Sequence, residues 1–226
     1  MNKKVIVYGN NILSEMLYYD AKHHLDFVIA GFTVDWEYLS EDTFMGLPQV
    51  SFDIVTEIYP PDKFDMIAVR GGYTNMRSRR EMYLRAKEKG YLLRNYISPT
   101  CDITPTVKMG DNNLILGQSH VGVEGSLGSN NVIRQQAYLG HGFLVKDNSV
   151  IGVGCNIGGF CTIEDACYLG IGSTVINNTR ISKESLIGAG SLVIRHTEPY
   201  SKNVGNPSKI IGYHKEEGIR MKVDHE

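Results

Sequence analysis

Residues 139–144 read LGHGFL, placing one imidazole, His141, between Gly140 and Gly142. A neutral imidazole is the usual group for taking a proton near pH 7. Glycines at 140, 142, 158 and 159 remove neighbouring side chains and leave backbone N–H groups able to face an oxyanion. Together these supply a group that can take a proton and backbone donors that can face a developing negative oxygen. From spacing alone a surface histidine is the plainer reading; the glycines are what point to chemistry. A second set lies near the start of the chain. Gly9, Asn10 and Asn11 precede a helix expected from Ile12, and a helix start of that kind suits a phosphate. Asp35 closes the strand Phe27–Val34, and Gly71-Gly72 follow the strand Asp65–Val69. Those turns gather at the carboxyl ends of strands, where open α/β sheets bind ligands. Arg77, Arg79, Arg80 and Arg85 read as a solvated helix face with some members free to meet phosphate.

The elements that must hold these residues follow two different patterns. Over residues 1–98, strands alternate with helices: Lys4–Val7, Ile12–His23, Phe27–Val34, Asp65–Val69, Met76–Lys89 and a closing Leu92–Ile97. That alternation predicts a small parallel α/β sheet, and Ser98-Pro99 ends it. From Ile103 to Val193 an aliphatic residue recurs every six positions through sixteen hexads, with only Met109 outside the Val, Ile and Leu set. Such a repeat predicts short strands joined by bends, three to a coil of 18 residues, with the aliphatics filling the interior of a prism. The coil length places Val123 below His141, with Gly159 and Asn177 above it. Glu124, Gly142, Phe160 and Asn178 form the adjoining column, and Gly125 makes room for Phe143. A packed prism has no internal cavity, so function must lie on its outside or between subunits.

Cys155, Cys161 and Cys167 all fall in the small interior slot of successive hexads and read as buried hydrophobes. Together with Cys101 they give no CxxC spacing, and no metal is expected. A zinc hydratase would need three converging histidines, and His120, His141 and His196 do not share columns. The formal net charge of −2 gives no footprint for nucleic acid or a membrane surface. The apolar run in MNKKVIVYGNN is too short for a signal-peptide core or a span. A soluble, cytoplasmic chain is expected.

The segments VIVYGNN, AGFTVD, DMIAVRGG and YISPTCDI, then LGHGFLVKDNSVIGVGCNIGG, YLGIGSTV, LIGAGSLVIR and VGNPSKIIG, carry a resemblance over nearly the whole chain. It resembles the bacterial left-handed β-helix sugar acyltransferases, in the group of sialic acid O-acetyltransferases and nucleotide-amino-sugar N-acetyltransferases. The resemblance implies a Rossmann-like sugar-nucleotide domain over residues 1–98, a left-handed parallel β-helix for acyl-CoA over 99–200, and a tail over 201–226. It implies that His141 is the general base and that Gly159 offers its N–H to the thioester carbonyl. Ile171 and Ala189 would follow the pantetheine arm, with Lys209 near a phosphate. Gly9, Asn10, Asn11, Asp35 and Gly71 would hold the sugar nucleotide. Acetyl-CoA would be the co-substrate, and the assembly a homotrimer with CoA between prisms. The activity implied is N-acetylation of a nucleotide-linked amino sugar for bacterial surface polysaccharide such as lipopolysaccharide. O-acetylation of a sugar hydroxyl and a non-catalytic prism that only binds sugar nucleotide are the alternatives. Three positions depart from the family pattern. Gly142 stands where many N-acetyltransferases carry a Glu beside the base, Val150 stands for a second histidine, and Arg134 for an Asn. Glu124, one coil below Gly142, is the candidate to replace the missing carboxylate.

Overall fold

The computed structural model describes residues 3–24, 27–70 and 75–220. The chain divides into two compact units, residues 1–72 with 81–99, and residues 73–80 with 100–226.

In the first unit, β1 (Lys3–Tyr8) leads through Gly9 into α1 (Ile12–His24), and β2 (Phe27–Val34) returns beside β1 in parallel. Two strands absent from the sequence expectation follow, β3 (Thr43–Phe44) and β4 (Leu47–Ser51). After the one-turn helix α2 (Val55–Ile58) comes β5 (Asp65–Ala68), which gives the sheet order β3-β4-β2-β1-β5. The sheet is therefore mixed at one edge, where β3 pairs antiparallel with β4. Leu92–Ile97, expected as a strand of this sheet, contributes a single parallel bridge from Leu93 to Met66. Tyr8 and Phe52 stack at 4.1 Å within a core that includes Ile6, Val55 and Met66. The helix α3 (Met76–Glu88) departs from the solvated face expected of its arginines. In the second unit Arg79 is buried, its guanidinium donating to the carbonyls of Asn130 (3.1 Å) and Asn148 (3.4 Å). Arg77 pairs with Glu184 at 3.0 Å.

The second unit is the prism. Its strands take two residues each, the second being the repeat aliphatic, from Asp102–Ile103 to Leu192–Val193. Each strand pairs in parallel with the one 18 residues on, as Leu139 does with Ile157, so the coils stack into three flat sheets. Leu139, Ile157, Val175 and their equivalents from Ile115 to Val193 are buried, with Ile103 and Met109 of the first coil partly so; closing apolar side chains off from water is what stabilises so short a strand. The turns need one left-handed residue each, and the chain mostly supplies Asn, Gln, Glu or Gly there, the types that adopt it at least cost. Asn112, Asn130 and Asn148 stack at one corner through side-chain bonds of 2.9 and 2.8 Å. Cys155, Cys161 and Cys167 are buried free thiols, and burial raises the Cys167 thiol to about 12. Past the last hexad, Ser201–Val204 continues one sheet in parallel and Lys209–Tyr213 folds back antiparallel onto it. Part of the 201–226 segment is thus an extension of the prism wall.

Candidate active site

His141 lies in the turn between the strands Tyr138–Leu139 and Leu144–Val145, exposed to solvent. Phe143 is 1% exposed, and a Cβ on Gly125 would stand 1.9 Å from its ring, so the glycine is what admits it. The imidazole rests over Gly159 one coil above, where a Cβ would meet His141 Cε1 at 2.6 Å and Nε2 at 2.7 Å. Its second contact is Phe160, edge to face at 4.8 Å and 88°.

Phe160 is the residue that the sequence reading passed over. Its φ of 56° puts a bulky aromatic in the left-handed region while its ring stays 57% exposed. That conformation costs about 1–2 kcal/mol for a residue with a Cβ, and here it is the turn's own requirement, met by an aromatic where most turns use Asn, Gln, Glu or Gly. Gly142 has a φ of 61°, and a Cβ there would lie 2.6 Å from the Phe160 ring. The aromatic ring therefore fills the space that a side chain at position 142 would use. Glu124 does not replace it. No hydrogen bond or ion pair joins Glu124 to His141; its backbone N–H donates to Thr106 Oγ1 at 3.1 Å. Glu124 stands one position out of His141's column, below Gly142.

Gly159 is placed as expected, but its N–H is occupied. It donates to Asn177 Oδ1 at 2.9 Å, the carboxamide reaching down from the next coil. Gly158 makes room for that side chain, since a Cβ there would lie 2.3 Å from Asn177 Oδ1. The open space assigned to Gly158 and Gly159 is thus filled by Asn177 and His141.

A groove of about 430 Å³ runs along the face before His141's turn, lined by Tyr138, Asn156, Gly158, Thr174, Ile176 and Asn177 among others. Ile171 and Ala189 occupy the preceding turn, on the far side of the strand Thr174–Val175 from Asn177. Among the described residues neither N–H has an acceptor, and Ile171 is 60% exposed. Lys209 is exposed on the returning strand and pairs with no acidic group among the described residues. The remaining histidines of the metal alternative are engaged separately. His120 Nδ1 meets Asp102 at 2.8 Å, and His196 Nδ1 accepts from Arg180 N at 3.1 Å.

In the first unit Gly9, Asn10, Asn11 and Asp35 line one cavity of about 200 Å³ with Tyr8, Tyr38, Val69 and Arg70. Gly71 lies outside the described residues. Gly9 has a φ of 128°, and a Cβ on it would strike Val69 O at 2.1 Å, so this turn admits only glycine. Asn11 caps α1, its Oδ1 accepting from Leu13 N at 3.1 Å while Nδ2 donates to Val69 O at 2.7 Å. That amide is spent on the fold, which leaves Asn10 as the polar side chain of the turn. Asp35 Oδ1 accepts from the Tyr8 hydroxyl at 2.6 Å and pairs with Arg85 at 2.8 Å. Burial works against its charge, but the Arg85 and Tyr8 bonds outweigh that and hold the carboxyl below the usual range. Burial and the bond to Asp35 push the Tyr8 phenol up. Asp35 pairs with Arg85, and Arg70 also lines the cavity, its charge helping to keep Asp35 ionised.

No protein-family model and no curated protein matches the chain. Solved structures do. GDP-perosamine N-acetyl transferase from Caulobacter crescentus, a histidine-to-alanine mutant in complex with CoA and GDP-perosamine, superposes with a TM-score of 0.84 at 19% identity, over 94% of this chain and 98% of that one. The acetyltransferase domain of PglB from Neisseria gonorrhoeae, in complex with acetyl coenzyme A, gives 0.83 at 19% identity over 93% and 100%. WeeI from Acinetobacter baumannii gives 0.55 at 17% identity over 92% and 100%. This chain has the fold of the left-handed β-helix sugar acyltransferases: a small α/β unit followed by a left-handed parallel β-helix.

Proposed function

We propose that the chain transfers the acetyl group of acetyl-CoA to the amine of a nucleotide-linked amino sugar. The observation that carries this is the imidazole of His141 seated on Gly159 beside the groove, a base next to a backbone donor. The sugar amine attacks the thioester carbonyl, and His141 takes the proton the nitrogen loses. The C–S bond then breaks, and the departing thiolate receives that proton. Gly159 N–H serves the oxyanion once the Asn177 carboxamide withdraws. The free N–H groups of Ile171 and Ala189 suit the amide carbonyls of a pantetheine arm across the same face, and Lys209 suits a phosphate. The two neighbours described as CoA and acetyl-CoA complexes support this donor.

The cavity in the first unit is the seat for the sugar nucleotide in this reading. Arg70 and the start of α1 match a diphosphate, and the open oxygen of Asp35 matches a hydroxyl or amide of the nucleoside. In this scheme residues 1–98 hold the acceptor, 99–200 the donor, and the segment from 201 the adenine end. The His141 ring has no acidic partner among the described residues, which favours an amine over a sugar hydroxyl. A neutral amine attacks before it is deprotonated; an alcohol needs the stronger base. We place the protein in the cytoplasm, as a homotrimer that makes an acylated sugar for bacterial surface polysaccharide. Thiol release from acetyl-CoA, measured with a panel of nucleotide amino sugars and their hydroxy counterparts, tests the assignment. Release with an amino sugar nucleotide and not with the hydroxy sugars is expected. No release with any amino sugar would refute it.

A further inference from the structure

Asn177 holds the one backbone donor on which an acyl transfer at His141 depends. Its Oδ1 is 2.9 Å from Gly159 N, inside the ~2.7–3.1 Å at which an oxyanion donor meets its oxygen. A side-chain carbonyl oxygen thus already takes the hydrogen bond that Gly159 N–H could offer an acyl oxygen. Capping from one coil above recurs elsewhere in the prism. Asp111 N donates to Ser129 Oγ at 3.1 Å, Ser129 N to Asp147 Oδ1 at 2.7 Å, and Asp147 N to Asp165 Oδ1 at 3.3 Å. Those caps form an unbroken run at another corner, where they serve the fold. In the His141 column the pattern differs. Among the described residues, His141 N–H has no acceptor, and Gly159 N–H alone takes a side-chain cap from above.

We infer that Asn177 is a specificity-determining residue, whose carboxamide competes with the acyl carbonyl for Gly159 N–H. A ligand that carries the thioester carbonyl must displace it, whereas free CoA, with a thiol in that place, need not. The carboxamide therefore narrows the difference in affinity between acetyl-CoA and CoA. This rests on the acyl-CoA reading above, and the two are tested apart by measuring both ligands on each protein.

The experiment is calorimetric titration of acetyl-CoA and of CoA into the wild type, Asn177→Ala and Asn177→Asp. Removing the competing acceptor should tighten acetyl-CoA by roughly 2- to 10-fold, the net worth of one hydrogen bond, with CoA changed less than twofold. The carboxylate of Asn177→Asp grips an N–H about twice as strongly as a neutral acceptor, so acetyl-CoA should weaken relative to CoA. A ratio unmoved in both variants, or acetyl-CoA weakened selectively in Asn177→Ala, overturns the inference. The second result would mean that the carboxamide donates to the carbonyl. A wild type that binds neither ligand refutes the acyl-CoA reading itself, and this inference with it.

Discussion

Adding one carbon at Gly159 should stop the chemistry and spare the fold. An alanine Cβ there would sit 2.6 Å from His141 Cε1 and 2.7 Å from Nε2, well inside contact distance. What has to give is the end of an exposed side chain with no hydrogen bond holding it, so the ring swings outward at small cost in stability. A displacement on the order of an ångström is worth ~10²-fold in rate for a group that must meet a reacting proton. Complete loss of a general base sets the ceiling at ~10²–10⁴-fold. Gly140→Ala is the contrast. Its Cβ would meet Gly159 N at 2.7 Å and Gly158 C at 2.9 Å, backbone that is pinned by the ladder between coils. Overpacking of that sort costs about 1–3 kcal/mol, and each kcal/mol lowers the Tm of a chain this size by about 2–4 °C. Steady-state acetyl transfer and thermal melts on the two variants make the assay. Gly159→Ala should keep its Tm and lose kcat, while Gly140→Ala should lose Tm first. Wild-type kcat in Gly159→Ala would refute the placement of His141 as the working base.

His141→Ala and His141→Asn should each lower kcat by ~10²–10⁴ with CoA affinity and Tm unchanged, because the exposed ring contributes nothing to the core; full activity in both returns it to the surface histidines. Asp35→Ala should raise the acceptor's KM about tenfold or more, the scale of a charge-assisted bond, and leave the acetyl-CoA KM alone; equal effects on both would place Asp35 elsewhere. Burial holds the His214 imidazole below its ordinary pKa, with Nε2 at 2.7 Å from Glu184 O. The native state therefore binds fewer protons than the unfolded chain. That stability is complete above about pH 6.5 and is lost as pH falls from there toward the folded value. Melting between pH 8 and 5 should show the decline, and His214→Gln should flatten it.

The prism was legible because its constraint is periodic. An interior that admits one aliphatic per face repeats every six residues, and adding 18 to 139 gives the strand partner at 157 without any tertiary information. The same arithmetic placed Gly159 on His141 and Phe143 over Gly125. It could not say which way side chains turn. Asn177 stands in the right column, but nothing in its spacing tells that its carboxamide reaches down to Gly159 N. Glu124 stands in a suggestive one, yet makes no bond with the base. In the first unit the signals were local and weaker. Leu47–Ser51 is five residues with a proline, and only its pairing with β2 and β3 makes it a strand. Arg79 looked solvated because an arginine-rich helix usually is; the carbonyls that bury it come from residues 130 and 148, more than fifty positions away.

The glycine after His141 is better explained by Phe160 than by the acceptor. Position 142 has a φ of 61°, where a side chain is strained, and its Cβ would stand 2.6 Å from the Phe160 ring, which would have to turn aside for a carboxylate there. A carboxylate beside an imidazole stabilises the imidazolium and raises basicity; the edge of an aromatic ring orients the imidazole without doing so. Phe160 takes the left-handed position of its turn, as Glu124, Gly142 and Asn178 do in theirs, and the missing side chain of Gly142 leaves space for its ring. The pair packs the imidazole of His141 without placing a charge beside it. In the proposed transfer, an imidazole without a neighbouring carboxylate suffices for an amine, whose proton leaves after attack, and suits a hydroxyl poorly, whose proton must leave during it.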